Sequence, residues 1–301
     1  MSLPSPYVRL PNDLLGTPPM EARGAIMHAM LIDGDRSAQQ RYCDAALNGF
    51  PNARYKFRVV GDTVLVTAIY VPEMRSLDPL ERQNGFVGEA DIAFWSIVLC
   101  SDVQQQEPDR IMWLPSFMFV DSGPAMASGR EIYGYPKCAS QIVRASTDPA
   151  RADVSVATLH FERFGPDEYA AVRPICSVGG ASSALADNNK SVASFAEALS
   201  IEAVGNVPPF PQLGMPQVML RQYRDATRAG MAALKEVLVV TPSAGPVIDS
   251  GMLPSGLKIG INPSASHDVR STLGLTEVNP VSLGAWLRFD FKVGWARRLL
   301  P

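Results

Sequence analysis

Histidine is scarce in this 301-residue chain, and its three copies, His28, His160 and His267, stand far apart. None has a second histidine or an acidic cluster beside it in sequence, so no metal-ligand set is legible and His160 reads as structural. The four cysteines, Cys43, Cys100, Cys138 and Cys176, form no Cys-x-x-Cys pair. That spacing argues against a zinc site or a disulfide scaffold and fits reduced thiols in a cytoplasmic protein. No stretch approaches the ~20 apolar residues of a membrane span, and residues 1–12 lack the continuous apolar run of a signal peptide. A net charge of −3 gives no electrostatic reason to expect nucleic acid or an anionic membrane as partner. The glycines at Gly179-Gly180 and between Gly251 and Gly260 lack the strand, Gly-x-Gly-x-x-Gly and helix context of a dinucleotide site, so they read as turns. No cofactor and no metal are expected, and no internal repeat is present.

What the chain does have is apolar material. At 47% hydrophobic and 19% charged residues it can bury one large core or two modest ones. Short apolar runs at residues 23–32, 55–60 and 63–71, the last two about a Gly61-Asp62 turn, read as strands. Residues 85–99 and 112–120 are further strands, and 153–164 alternates with the period of two. Residues 35–48 read as a short helix capped by Asp35 or Ser37 and buried through Ala38, Tyr42, Ala45 and Ala46. A second helix is expected at 190–204, capped by Asn188 or Asn189, followed by a rigid proline loop at 208–211. Strands return at 217–223, 231–240 and 283–300. Between Pro242 and Pro280 the Ser, Gly and Pro content suggests an insertion or long loops.

Lysine is also rare, at positions 56, 137, 190, 235, 258 and 292, and Lys137 has the most unusual surroundings. Pro136 fixes its own φ and pushes Tyr135 towards an extended conformation, so the chain enters Lys137 stiffly. Tyr133 and Tyr135 offer apolar faces with polar tips, and Gly129 and Gly134 permit close approach. A lysine held in a partly dry pocket loses stability as the ammonium, which leaves neutral amine free to attack a ketone. The resulting Schiff base, once protonated, is an electron sink for the pair released when a neighbouring C–C bond breaks.

The stretch Gly129-Arg130-Glu131 … Tyr135-Pro136-Lys137 resembles the signature of the acetoacetate decarboxylase family. The resemblance implies that Lys137 is the Schiff-base lysine, with Arg130 and Tyr135 lining the substrate. It is specific only at residues 129–137, although order and strand character extend it over most of the chain. By the same resemblance Glu89 is the acid that protonates the enamine, a role suited to a carboxyl in an apolar mouth. Arg23 is the arginine nearest in position to the one that faces the substrate carboxylate. Two departures stand out. Cys138 occupies the place of the family's second lysine, and no acid lies in the strand at 64–71, where the nearest is Glu73 beyond Pro72. The implied fold is mainly β (α+β): a single domain over 1–301, built as a closed, cone-like antiparallel β-barrel with a few flanking helices and assembling into homo-oligomers. The implied partner is a small-molecule oxo acid. The implied activity is decarboxylation of a 3-oxo acid through a lysine imine. The departures favour an alternative, aldol addition and dehydration by pyruvate or a related 2-oxo acid with an aldehyde. A barrel that binds ligand without turnover is the third reading.

Overall fold

The computed structural model describes residues 6–9, 16–180 and 215–301. The expected helix at 190–204 and the proline loop at 208–211 lie outside the described residues.

The first element, β1 (Met20–Asp33), carries the apolar run, and its side chains alternate between two cores. Met30 and Ile32 enter one, while Met27, Ala29 and Leu31 enter the other. A strand covered on both faces has no polar side to present, which is why its sequence reads as continuous apolar residues rather than alternation. Helix α1 (Arg36–Cys43) follows, with the Asp35 carboxylate accepting from Ala38 N at 2.6 Å, and continues as a π-helical turn through Asn48.

The next strand, β2 (Tyr55–Ser76), is one 22-residue element rather than two. The Gly61-Asp62 turn expected from sequence is a bulge within it. The register against β3 (Val87–Asp102) breaks between Val59 and Val64, and Gly61 takes φ +73°. A glycine supplies the positive φ that such a bulge needs without ending the strand.

β4 (Arg110–Val120) pairs antiparallel with β3. Helix α2 (Gly123–Ser128), capped by Ser122, then runs into a π-helical turn over Gly129–Tyr133. The helical crossover lets β5 (Lys137–Arg144) return parallel to β4, since a parallel neighbour cannot be reached through a tight hairpin.

β6 (Val154–His160) and β7 (Ala171–Gly179) extend the sheet from β5. β8 (Gln217–Arg224) lies beside β4 at Trp113 and pairs with β9 (Ala232–Val240). The region expected to hold long loops instead carries β10 (Ser243–Met252), β11 (Lys258–Ile261), α3 (Val269–Leu273) and β12 (Val278–Pro280). β13 (Leu283–Val293) fits between β10 and β1, and β14 (Arg297–Leu300) pairs with β9.

The result is a β-rich fold built on one large sheet, and in two respects it corrects the closed antiparallel barrel expected from sequence. The strand order runs β10-β13-β1-β2-β3-β4-β5-β6-β7-β11-β12, and no ladder among the described residues joins its ends. One end, β12, is three residues long and finishes in Pro280, which has no N–H to donate. The other, β10, breaks register twice against β13. The sheet is also mixed, because β4 runs parallel to both β5 and β8.

Candidate active site

Glu89 and Asp91 stand two residues apart on β3, opposite Val71 and Ile69 of β2. The period of two puts both carboxyls on the face that continues into Ala93, Trp95 and Ile97. The end of this strand is pinned to β4: Asp121 accepts from Ala90 N at 2.7 Å through its carboxylate, and its own N–H donates to Ala90 O at 3.2 Å.

Lys137 opens β5 level with Met118 of β4. Its Nζ donates to Glu89 Oε2 at 3.3 Å. Lys137 and Glu89 are each 7% exposed and Asp91 6%, so three ionisable groups share a nearly dry site. Burial pushes the Asp91 carboxyl up to about 7; the Lys137 ammonium opposes that rise, while the Glu89 and Asp121 carboxylates reinforce it.

The segment leading into Lys137 is fixed at several points. Tyr135 N donates to Gly129 O at 3.0 Å, Gly134 N to Arg130 O at 3.2 Å and Lys137 N to Tyr135 O at 2.8 Å. Gly134 adopts φ +79°, and a Cβ there would fall 2.8 Å from Arg221 Cα. Both its conformation and its contact with β8 therefore require glycine. Arg221 donates from Nη1 to Glu131 O and Ile132 O, each at 3.1 Å, and from Nε to the buried Glu236 at 2.6 Å. Tyr223 adds a 2.6 Å bond to Glu131 O. On the other side, Gly16 N donates to Ser128 Oγ at 3.0 Å, tying the amino-terminal segment to the end of α2.

The residues singled out from sequence fall into two groups. Lys137, Glu89 and Tyr135 come together. Tyr135 is buried between the acids and the core, and its hydroxyl donates to Gln217 Oε1. Its phenol is pushed well up by burial, with Tyr133, Asp91 and Glu89 adding to the effect. The other two residues do not contact the lysine amine. Arg130 is exposed and donates from Nη1 to the Lys137 carbonyl at 2.9 Å, so it holds backbone. Arg23, with its side chain 45% exposed, pairs with Glu21 at 2.8 Å and stacks over Phe86.

Cys138 turns away from Lys137. Its Sγ lies 3.7 Å from Thr158 Oγ1 and 3.8 Å from Ser140 Oγ, against the opposite core, and burial raises its thiol pKa. His160 and His267, unconnected in sequence, are brought to 6.5 Å between ring centroids, and His160 Nδ1 meets Ser264 Oγ at 2.9 Å. Among the described residues no group of His, Cys, Asp and Glu side chains is arranged to hold a metal.

Asp91 is the residue that the sequence reading passed over. The signal was present in Glu89-Ala90-Asp91, where strand period alone would have put the second acid beside the first. An aspartate inside an apolar run reads as a strand end when the strand's length is unknown.

The fold and site together define a β-rich protein with a buried lysine–carboxylate centre, and comparison with known proteins gives that architecture a name. No protein-family model matches the sequence, and no curated protein matches it. Solved structures do match in fold. Acetoacetate decarboxylase from Legionella pneumophila aligns over 99% of this chain and 92% of its own, with a TM-score of 0.61 at 13% identity. An acetoacetate decarboxylase-like enzyme from Sphingomonas wittichii RW1 aligns over 93% and 92%, with a TM-score of 0.56 at 14% identity. The enduracididine biosynthesis enzyme MppR in complex with pyruvate aligns over 96% and 93%, with a TM-score of 0.55 at 13% identity. The chain thus has the acetoacetate decarboxylase-like fold.

Proposed function

We propose that this protein is a Schiff-base carbon–carbon lyase that decarboxylates a 3-oxo acid on Lys137. The observation that carries the reading is the buried Lys137–Glu89 contact at 3.3 Å, formed within a fold shared with acetoacetate decarboxylases.

Glu89 is placed to take a proton from the Lys137 ammonium, freeing the amine to attack the ketone carbon. Loss of water gives a protonated imine. The bond to the carboxylate carbon then breaks, its electron pair moves towards the imine nitrogen, CO₂ leaves and an enamine remains. Protonation at carbon and hydrolysis release the ketone and restore the amine. With two carboxyls beside the lysine and no arginine paired to either among the described residues, the site is poorly matched to a bound carboxylate. That mismatch favours a reaction that sheds one.

A second reading has its own support. The thiol of Cys138, at the position of the expected second lysine, faces the opposite core and supplies no charge beside Lys137, and the pyruvate complex of MppR shares the fold. In this reading a pyruvate enamine adds to an aldehyde and water is lost. We place the enzyme in the cytoplasm, as a homo-oligomer formed from a single 1–301 domain.

Borohydride reduction with acetoacetate and, separately, with pyruvate tests both readings, followed by intact mass and peptide mapping. An acetone-sized remnant on Lys137 supports decarboxylation, and labelling by pyruvate alone supports the aldol reading. If neither compound labels folded wild-type protein, or if Lys137→Ala labels equally well, the Schiff-base reading fails.

A further inference from the structure

The site holds one acid more than the lysine needs. Lys137 Nζ bonds Glu89, and Asp91 is left without an ion pair among the described residues. Along the strands, Lys137 is level with Met118, Met118 with Ala93 of β3, and Glu89 lies four residues further along β3. Asp91 falls midway between those levels, on the same face, level with Val120 and Ile69. Asp91 therefore lies on the same face, between the level at which Lys137 starts and the level of the carboxyl that it bonds.

The two acids also differ in their surroundings. Glu89 is in direct contact with the Lys137 amine, at 3.3 Å. Asp91 is as buried as Glu89 but has no direct ion pair, and among the described residues the charged and titratable groups that act on it are Glu89 on its own strand, Asp121 beyond β4, Lys137 on β5 and the Tyr135 phenol ahead of β5. Three of these four are acidic groups, and the one cation is already engaged by Glu89.

We propose that Asp91, not Glu89, is the acid that delivers the proton to the enamine carbon, so that the two carboxyls divide the work at Lys137. The inference rests on the Schiff-base reading given above. In the step itself the enamine C=C pair takes the Asp91 proton. A C–H bond forms, the carboxyl O–H bond breaks, the nitrogen lone pair becomes the C=N bond, and Asp91 is left as a carboxylate. A proton from solvent, the one the overall reaction consumes, then restores the Asp91 acid, while water hydrolyses the iminium to the ketone and the Lys137 ammonium. Glu89 keeps its negative charge throughout this step, pairing with the iminium as it paired with the ammonium. The burial-raised pKa of Asp91 suits such a donor, since an acid that holds its proton near neutral pH is matched to transfer at that pH.

Exchange of methyl protons of acetone and of pyruvate with D₂O, followed by NMR, isolates the enamine step, and borohydride trapping of the same two ketones isolates the imine. In Asp91→Asn, trapping at Lys137 is expected to persist while exchange falls about 100-fold, within the range for loss of a general acid. Asp91→Glu, which retains an acid, is expected to keep exchange within about tenfold of wild type and to move the alkaline limb of its pH profile. In Glu89→Gln, trapping itself is expected to slow. Exchange at the wild-type rate in folded Asp91→Asn overturns the proposal and leaves the Schiff-base reading standing. If Asp91→Asn does not fold, an alkaline limb unmoved in Asp91→Glu overturns it instead. Wild-type protein that neither traps nor exchanges either ketone overturns both.

Discussion

Gly129 lies against the stem of Lys137 so closely that a Cβ built on the glycine would sit 2.7 Å from Lys137 Cδ. The glycine of the signature is therefore a groove for the lysine, and it fixes the direction in which the amine emerges. Gly129→Ala should push the stem aside and break its contact with Glu89. A displacement of that order costs on the order of 100-fold in reactions that depend on alignment. Turnover and borohydride trapping should fall together in the variant while cooperative thermal unfolding is retained.

Lys137→Met should abolish the adduct and expose the energetics of the acid pair. Without the ammonium, Glu89 and Asp91 remain buried next to each other. Removing one partner of a buried ion pair costs about 3–5 kcal/mol. That cost should be smaller at pH 5, where Asp91 holds its proton, and larger at pH 8, where it has lost it, as chemical denaturation at the two pH values would show.

The raised Asp91 pKa predicts a particular pH dependence of stability. Between its ordinary value and about 7, the folded state holds a proton that the unfolded chain has released. Its contribution to stability is fully present below about pH 4 and is lost as the pH rises towards and past 7. Relative to Asp91→Asn, the wild type should therefore lose stability across that window, by at most about 1.4 kcal/mol per pH unit. Parallel pH profiles for the two proteins would contradict this.

Arg221→Met removes a side chain that ties the π-helical turn before Lys137 to the buried Glu236. Hydrogen bonds to charged groups contribute about 1.5–3 kcal/mol each. The variant should lose a few kcal/mol in denaturant melts and should also trap oxo acids more slowly. A stability loss with unchanged trapping would show that β8 does not position the lysine.

The parts of this protein legible from sequence are those fixed over short distances. The apolar run of β1, the Asp35 cap of α1 and the stiff corner before Lys137 each depend on a few adjacent residues, and each appears in the structure. The Lys137–Glu89 contact spans 48 residues and was reached through resemblance to a family, not through local pattern. What escaped depends on partners far along the chain. The open ends of the sheet reflect a three-residue β12 and an irregular β10, neither of which announces its pairing. Arg130 looked like a substrate ligand because its bond to the Lys137 carbonyl cannot be seen in a linear motif. Asp91 acquires its character only when β3, β4 and β5 have closed around it.

The parallel contact of β4 with both β5 and β8 also has a meaning in time. Lys137 is made early, but Arg221, Tyr223 and Gln217, which grip the turn before it and the tyrosine beside it, are made some eighty residues later. Non-local closures of this kind come late in folding. On the ribosome the lysine therefore emerges long before its socket, and a nascent chain stopped short of β8 should carry the signature without the chemistry.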